Sequence, residues 1–409
     1  MKIAIISPLP PEKPGESIYT ARLIKALAKN SKIEIIAISG KSSKPLNVAE
    51  GHVETASIWE NRSLLYPFKL WRFIRKRAVR LVHVQYGPHG EVYGGFFGEV
   101  MLFLFLLLKY TGVKTTVTLH STWMTEQAER RIAETKGFSA FTSLTPAIFR
   151  MFMKLLDLGT NTIQLSTTRL DSTLKRRFLR EFKCDPNKVL EIPHACTEVM
   201  MDITKEEAMN QLGITDKKVV LVFGYIRRDK GIDLAMHTIK TLRETVPDVL
   251  LLVAGRPFDE DGEKYLQELQ ELQKEWRLSG NVRFDVEYIP EEKIPVYFSA
   301  ASIILAPYSE SIGASGPLHA ACAYGNPIVA SDAGIHIKEA LGGNVLTFRH
   351  NDPDELCEKL KDVLTNKELA QKVHYNLIQY SELESWDTAA KRTLEYYRKT
   401  LGIEGVQSK

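Results

Sequence analysis

Twice along the chain, short apolar runs rich in β-branched residues alternate with stretches of helical period. Runs that are apolar throughout are typical of strands buried on both faces of a parallel sheet. Strands that alternate with helices predict the α/β class, with helices on both sides of each sheet. The predicted strands are 3–7, 33–38, 81–85, 116–119, 162–166 and 189–192 in the first series, and 219–223, 249–254, 282–285, 302–306, 327–331 and 345–348 in the second.

The intervals between these strands are predicted to be helical. One predicted helix, 92–110, contains the longest apolar run, from Phe96 to Leu108, interrupted by Gly98 and Glu99. A membrane-spanning helix needs about 20 apolar residues, so we expect a buried core helix here instead. The other predicted helices are 17–29, 68–79, 172–182, 233–245, 263–277, 291–299, 317–324, 353–364 and 385–401.

The two series predict two doubly wound, Rossmann-like domains, which the length of 409 residues accommodates. We expect a first domain over 1–195, a second over 196–383, and a final helical segment over 384–409 that packs back on the first. Ligands of open α/β sheets bind beyond the carboxyl ends of the strands. Two such domains would therefore face each other across a ligand-binding cleft.

The composition of the chain disfavours some classes of function. A net charge of +4 is small for this length and does not favour a nucleic-acid binder. The four cysteines form no CxxC pair and suit no zinc site, and we expect no metal. The chain begins with a strand pattern rather than a signal peptide, so we expect a cytoplasmic protein with reduced thiols.

The turn at 223–231 offers two cations directly after a predicted strand. Arg227 can grip a phosphate with two parallel hydrogen bonds, and Lys230 adds a point charge, while Gly224 permits close approach to the backbone. The alternative is a solvated basic turn. We expect Arg228 to be a solvated basic residue of this kind, paired with Asp229.

The turn at 307–316 complements the first. Glu310 follows a predicted strand, and a carboxylate accepts hydrogen bonds from sugar hydroxyls. The helix that follows points its positive dipole end at a bound ligand. The alternative is an ordinary strand–helix loop with a capping serine. Together the two turns suit a diphosphate with a sugar attached, and the second contributes Ile312, Gly313, Ala314, Ser315 and Gly316.

Two features of the first domain lie at predicted strand ends. The turn at 7–17 is not GxGxxG, which argues against a dehydrogenase. Gly15 permits close approach of a ligand beside Glu16, and Ser17 could cap the next helix; an ordinary Pro-rich turn is the alternative. His120 could hydrogen-bond a sugar hydroxyl or position a reacting centre, or could simply be packed at the strand end.

Two predicted helices are strongly basic. No acidic residue occurs between 61 and 90, and six Lys and Arg interleave with aromatic residues from 69 to 80. Such faces can attract anionic lipid surfaces or acidic acceptors. A solvated helix face is the simpler interpretation. The basic residues are Lys69, Arg72, Arg75, Lys76, Arg77 and Arg80 in the first helix, and Lys175, Arg176, Arg177, Arg180 and Lys183 in the second.

These features resemble those of family-4 glycosyltransferases, which have the GT-B fold. The turn at 223–231 resembles a variant of the family's diphosphate-binding turn, with Tyr225 where many members carry the arginine. The segment 192–195 resembles the interdomain hinge, with Ala195 replacing a usual glycine. His120 matches the histidine that lines the reaction site, and the turn around Gly15 matches the glycine-rich loop near the donor phosphates and the acceptor.

The resemblance implies a retaining, metal-independent transfer of a hexose, such as mannose or glucose, from a GDP- or UDP-linked donor. The acceptor would be a carbohydrate or lipid-linked hydroxyl on the side of the first domain, and the enzyme would be cytoplasmic or peripheral at the inner membrane face. Glu310 matches the first glutamate of the family's pair. Leu318 or Ala320 stands where the second should hold the ribose, which leaves the nucleotide base open.

Two alternatives share this architecture. An isomerase or phosphorylase would bind a sugar phosphate without this transfer. A non-catalytic protein that binds sugar nucleotides is compatible with loss of the second glutamate.

Overall fold

A computed structural model describes residues 1–12, 15–48, 51–60, 63–88, 90–134, 139–167, 169–197, 199, 201–309, 315–333 and 340–403. The chain divides into two compact units. The first comprises Met1–Pro193 and Trp386–Lys409, and the second comprises His194–Ser385. The boundaries predicted from the sequence lie after residues 195 and 383.

The first unit contains a parallel seven-stranded sheet in the order β3-β2-β1-β4-β5-β6-β7. Its central strands are buried on both faces, as Ile3 to Ile6 show, because helices cover both sides of the sheet. The strands are β1 Lys2–Ile6, β2 Glu34–Gly40, β3 His52–Trp59, β4 Leu81–Tyr86, β5 Lys114–Leu119, β6 Thr162–Thr167 and β7 Val189–Pro193.

Helices connect these strands. They are α1 Gly15–Ala28, α2 Tyr66–Lys76, α3 Gly90–Tyr93, α4 Met101–Tyr110, α5 Thr125–Glu134, α6 Thr145–Gly159 and α7 Thr173–Phe182. Ser172 caps α7 by accepting from the backbone N–H of Lys175. Helices α2 and α6 begin with proline in their first turn, where its missing N–H is not needed.

The second unit contains a parallel six-stranded sheet in the order β10-β9-β8-β11-β12-β13. Its strands are β8 Lys218–Phe223, β9 Val249–Ala254, β10 Val282–Asp285, β11 Ile303–Ala306, β12 Ile328–Ser331 and β13 Leu346–Phe348. Its helices are α8 Lys205–Gln211, α9 Ile232–Leu242, α10 Glu260–Glu275, α11 Ile294–Ala300, α12 Gly316–Cys322, α13 Pro353–Thr365 and α14 Lys367–Leu383. Two doubly wound α/β units confirm the predicted fold class.

The final helix, α15 Trp386–Leu401, belongs to the first unit and packs on α1 and β5. Tyr397 is fully buried, and its hydroxyl lies 2.6 Å from Nδ1 of His83. At the other end, Lys29 and Asp387 form an ion pair at 2.8 Å. The chain therefore returns to its first unit after completing the second.

The prediction of one buried helix over 92–110 is wrong. Gly94, Gly95 and Gly98 all adopt positive φ angles, which end α3 and delay α4 until Met101. Helix α4 buries one side, including Phe105, and exposes the other. Strand β3 was not predicted, and no bounds were predicted for α5, α6, α8 or α14.

Candidate functional site

The second unit has a topological switch point between β8 and β11. Strands β9 and β10 lie on one side of β8, and β11, β12 and β13 lie on the other. The connections that leave β8 and β11 therefore diverge, and a crevice opens at the carboxyl ends of the two strands. The diphosphate-binding turn and the sugar-binding turn predicted from the sequence follow these two strands.

The described parts of the two turns are joined directly. The backbone N–H of Ser309 donates to the carbonyl of Asp229 at 2.9 Å. Gly231 has a φ of 62°, and a Cβ there would lie 2.0 Å from the carbonyl oxygen of Pro307. Because no side chain fits in that space, glycine is required where the turns meet.

Lys230 is held over an aromatic ring. Its Nζ lies 3.8 Å from the ring centroid of Tyr308, within the range of a cation–π contact. The hydroxyl of Tyr308 lies 3.2 Å from Oγ of Ser315, and its carbonyl accepts from Ser331. Tyr308 thus fixes the Lys230 ammonium beside the residue that precedes α12.

Ser315 does not cap α12 with its side chain, although it occupies the N-cap position. Its hydroxyl pairs with Tyr308 instead, so the alternative of an ordinary capping serine is wrong. Gly316 is exposed, and nothing lies within 4 Å of the position that a Cβ would take. The predicted residues Glu310, Ile312, Gly313 and Ala314 lie outside the described residues.

Arg227 and Asp229 form a bidentate pair. Nε and Nη2 of Arg227 donate to the two carboxylate oxygens of Asp229 at 2.9 and 2.6 Å. The guanidinium carbon also lies 5.6 Å from the ring centroid of Phe258. Nη1 makes no hydrogen bond to any described residue. Asp229 therefore orients the guanidinium and leaves one of its edges for an incoming anion.

The side chain of Arg228 contacts carboxylates of α10 and not Asp229, so the predicted Arg228–Asp229 pair is wrong. Its guanidinium donates to both carboxylate oxygens of Glu268 at 2.8 and 2.7 Å, and it also bonds Asp261. The Glu268 hydrogen bond is the main cause that raises the pKa of Arg228. The difference arises because the 3-10 turn Arg228–Lys230 directs this side chain to α10, whereas Arg227 is extended.

Two glycines shape the strand ends beneath this turn. Gly255 has a φ of 149°, and a Cβ there would lie 1.9 Å from the carbonyl oxygen of Gly224. The place of a Cβ on Gly224 is 3.7 Å from Pro317 at the start of α12. Gly255 was not predicted. Its signal was available, because it directly follows a predicted strand just as Gly224 does.

Another unpredicted residue, His319, lies on α12 and is almost fully buried. Its Nδ1 lies 2.8 Å from the carbonyl oxygen of Ser315, and its ring centroid lies 4.6 Å from that of His194. Its own carbonyl accepts from the N–H of Thr197. Burial lowers the pKa of His319 to about 4, so the imidazole that ties α12 to this segment is neutral near pH 7.

The switch point of the first unit lies between β1 and β4. Helix α1 begins at Gly15, so Ser17 lies within its first turn and the predicted capping role is wrong. No atom lies within 4 Å of the Cβ position of Gly15, whereas Glu16 is buried. The carbonyl of Glu16 accepts from Thr20, which also pairs with Ser7 at 2.8 Å. These bonds fasten the helix start to the end of β1.

His120 directly follows β5 and is half-buried. Its Nε2 lies 2.6 Å from Oε1 of Gln85, and its ring meets Tyr19 edge-on at 4.6 Å. Its backbone N–H donates to the carbonyl of Tyr86 at 2.9 Å. Gln85, which sequence reasoning missed, therefore orients an imidazole at the carboxyl edge of the sheet.

Three further properties bear on the chemistry. Cys184, Cys196, Cys322 and Cys357 form no disulfide. Among the residues that the structure describes, no three His, Cys, Asp or Glu side chains are grouped so as to hold a metal ion. Among the same residues, no helix has the length and apolar character needed to cross a membrane.

Comparison with solved structures defines the class of fold. Sucrose-phosphate synthase from Thermosynechococcus elongatus superposes with a TM-score of 0.74 over 98% of this chain and 100% of that chain, at 20% identity. HepE from Anabaena, solved in complex with UDP, gives a TM-score of 0.72 over 98% of this chain and 100% of that chain, at 13% identity. At these identities the likeness concerns the fold alone, and the fold is GT-B.

The family described as Glycosyl transferases group 1 matches residues 204–380. The D-inositol 3-phosphate glycosyltransferase of Corynebacterium urealyticum is 30% identical over 206 residues, which are 49% of this chain and 48% of the relative. YtcC of Bacillus subtilis is 28% identical over 201 residues, 48% of each chain. The chain thus spans about half the length of these curated relatives.

Proposed function

We propose that this protein is a retaining, metal-independent glycosyltransferase of family 4. It transfers a hexose, such as glucose or mannose, from a UDP- or GDP-linked donor to the hydroxyl of a carbohydrate or lipid-linked acceptor. The group 1 domain at 204–380 and the glycosyltransferase among the relatives support this reading. HepE, which shares the fold, was solved with UDP bound.

One observation carries the proposal: the ammonium of Lys230 is held over Tyr308 beside the start of α12, at the switch point of the second unit. A nucleotide diphosphate placed there meets this ammonium and the open edge of Arg227. Both charges are positioned by neighbouring side chains before any ligand binds. Fixed cations of this kind stabilise the negative charge that develops on a leaving group.

The reaction breaks the bond between the anomeric carbon and the diphosphate oxygen, and the electron pair leaves with the diphosphate. The acceptor oxygen forms the new bond on the same face of the sugar, and its proton passes to the departing diphosphate oxygen. Arg227 and Lys230 stabilise the charge of the diphosphate, which is the role that a metal ion fills in other transferases. Exclusion of water during this step favours transfer over hydrolysis.

The remaining predicted residues take supporting roles. Glu310 orients the donor sugar by accepting hydrogen bonds from its hydroxyls. The backbone around Gly15 and Glu16 accommodates the phosphates or the acceptor. His120, whose imidazole is held by Gln85 and Tyr19, hydrogen-bonds to a hydroxyl at the reacting centre.

The helix α12 carries no acidic residue that could hold the ribose of the nucleotide. Leu318 is buried and apolar, and Ala320 has only a methyl group, so neither side chain can accept a hydrogen bond from a ribose hydroxyl. This feature is compatible with the alternative of a protein that binds sugar nucleotides without turnover. A phosphorylase or isomerase on the same fold is the other alternative.

A panel of UDP-, GDP- and ADP-sugars, tested first by thermal shift and then by product analysis, distinguishes these functions. We expect a raised midpoint of unfolding with one base, release of its diphosphate, and a product whose anomeric configuration matches the donor. Glu310→Gln should reduce transfer far more than binding of the free nucleotide diphosphate. Binding without turnover on any acceptor would favour the non-catalytic alternative, and an inverted product would contradict the retaining mechanism.

A further inference from the structure

Three neighbouring helices of the first unit, α2, α4 and α6, cover the same part of its sheet. Nε1 of Trp71 on α2 lies 3.3 Å from Oγ1 of Thr111 at the end of α4. Lys109 on α4 donates to the carbonyl of Leu158 on α6. The outward side chains of the three helices therefore form one continuous surface, which we call the α2–α4–α6 face.

Large apolar side chains are exposed on this face. The side chains of Phe103 and Leu106 on α4 are 57% and 44% exposed to solvent, and Met151 on α6 is 60% exposed. Phe68 on α2 and Ile148 on α6 are also exposed. The opposite sides of the same helices already fill the core, so these residues are not needed there. Contiguous exposed apolar side chains of this size mark an interaction surface.

The charge on this face has a single sign. The three helices contain one carboxylate, Asp157, which is buried beside Lys154 and Lys188. Within the described ranges, Arg72, Arg75 and Lys76 of α2 pair with no carboxylate. The cations that flank the apolar side chains are Lys69, Arg72, Arg75, Lys76, Lys109 and Arg150.

Helix α7, the other basic helix predicted from the sequence, differs in both respects. Its arginines contact carboxylates: Arg177 lies 3.4 Å from Glu126 and 3.9 Å from Glu181, and Arg176 lies 3.9 Å from Asp171. No large apolar side chain of α7 is exposed. Its charge is therefore partly neutralised and surrounds no apolar surface.

We propose that the α2–α4–α6 face docks on an anionic lipid bilayer. Phe103, Leu106 and Met151 enter the boundary between headgroups and acyl chains, and the cations of α2 contact the anionic headgroups. A bilayer of this kind matches both properties of the face, because it offers negative charge at its surface and apolar volume beneath. The proposal does not depend on the transferase activity, because it concerns different residues.

Vesicle sedimentation with the full chain tests this proposal. We expect binding to vesicles of phosphatidylcholine containing phosphatidylglycerol, weak binding to phosphatidylcholine alone, and weaker binding as salt is raised. Equal binding to both kinds of vesicle, or no binding to either at low salt, would overturn the proposal.

Variants then assign the contact to this face. Replacing Arg72, Arg75 and Lys76 together by Gln should weaken partitioning to anionic vesicles about a hundredfold, since each cation near the surface contributes about fivefold. The matched control replaces three cations of α7, Lys175, Arg176 and Arg180, by Gln and should change partitioning far less. An equal loss in the control would show that only net charge matters and would contradict the assignment.

A second set replaces Phe103, Leu106 and Met151 by Ser. It should weaken vesicle binding even where the charges are intact, and the midpoint of thermal unfolding should stay near that of the native protein because these side chains are exposed. Analytical ultracentrifugation without lipid identifies the other possible occupant. A dimer that this variant converts to a monomer would mean that a second copy of the chain covers the face, and the proposal would fall.

Discussion

The two units place different chemistry at equivalent positions. Each has a switch point at the carboxyl ends of its central strands. In the second unit this position holds Lys230 and Arg227, both oriented by neighbouring side chains. In the first unit the corresponding edge holds buried Glu16 and the imidazole of His120. The proposed function assigns the donor phosphates to the edge of the second unit and hydroxyl groups to the edge of the first, so the two copies of one architecture would divide donor and acceptor recognition.

The strongest test of this division replaces Lys230 by Ala. Loss of one preorganised cation should lower the rate of transfer about 100- to 1,000-fold, because it stabilises developing charge. The measurement is kcat/KM for the donor. Arg228→Ala is the matched control, since Arg228 lies in the same turn but binds Glu268 on the surface, and it should have little effect. Equal losses in the two variants would argue against the proposed role of Lys230.

The next prediction addresses the first unit. His120→Ala should lower transfer about a hundredfold and leave the dissociation constant for UDP or GDP unchanged, because the imidazole acts on hydroxyls and not on the diphosphate. Calorimetry and product formation measured on the same preparation provide the comparison. His52→Ala, at an exposed position on β3, serves as the control. A large loss of nucleotide affinity in the His120 variant would contradict the assignment of diphosphate recognition to the second unit alone.

A third prediction concerns the joint between the two turns of the second unit. Gly231→Ala forces a side chain into left-handed backbone and against the carbonyl of Pro307. We expect a loss of about 1–3 kcal/mol in the free energy of unfolding. Denaturant titration measures it, and Gly280→Ala, where a Cβ meets open space, provides the control. An unchanged stability would show that the two turns separate readily.

A fourth prediction is a pH dependence of stability from His319. Burial holds its folded pKa near 4, below the ordinary value of 6.5, so the unfolded chain binds more protons between these values. Stability should therefore fall as the pH drops from about 6.5 towards 4, by up to about 1.4 kcal/mol per pH unit for this group. His83 adds to the slope, because burial also lowers its pKa to about 3. His319→Gln should flatten the curve, and an unaltered slope would contradict the assignment.

The alternation of apolar strands and helices was enough to predict both sheets, because fully buried parallel strands leave an unmistakable pattern. Strand β3 was not predicted because it is half-exposed at the sheet edge and carries polar residues. The break between α3 and α4 depends on three glycines whose φ angles a hydropathy pattern does not reveal.

At the site, the sequence predicted that the turns after β8 and β11 act together, and they are in contact. It assigned Asp229 to the wrong arginine because the choice depends on the direction of a single 3-10 turn. The contacts of Lys230 with Tyr308 and of His319 with His194 join residues far apart in sequence, and a single sequence gives no signal for such pairs.

Calorimetric titration of nucleotides tests the central claim most directly, which is that the turn after β8 recognises a diphosphate. UDP and uridine, or GDP and guanosine, differ only in the phosphates that Arg227 and Lys230 are proposed to hold. The native protein and the Arg228→Ala variant should bind the diphosphate far more tightly than the nucleoside. In the variant with both Arg227 and Lys230 replaced by Ala, that preference should disappear, while a preference retained in full would contradict the account.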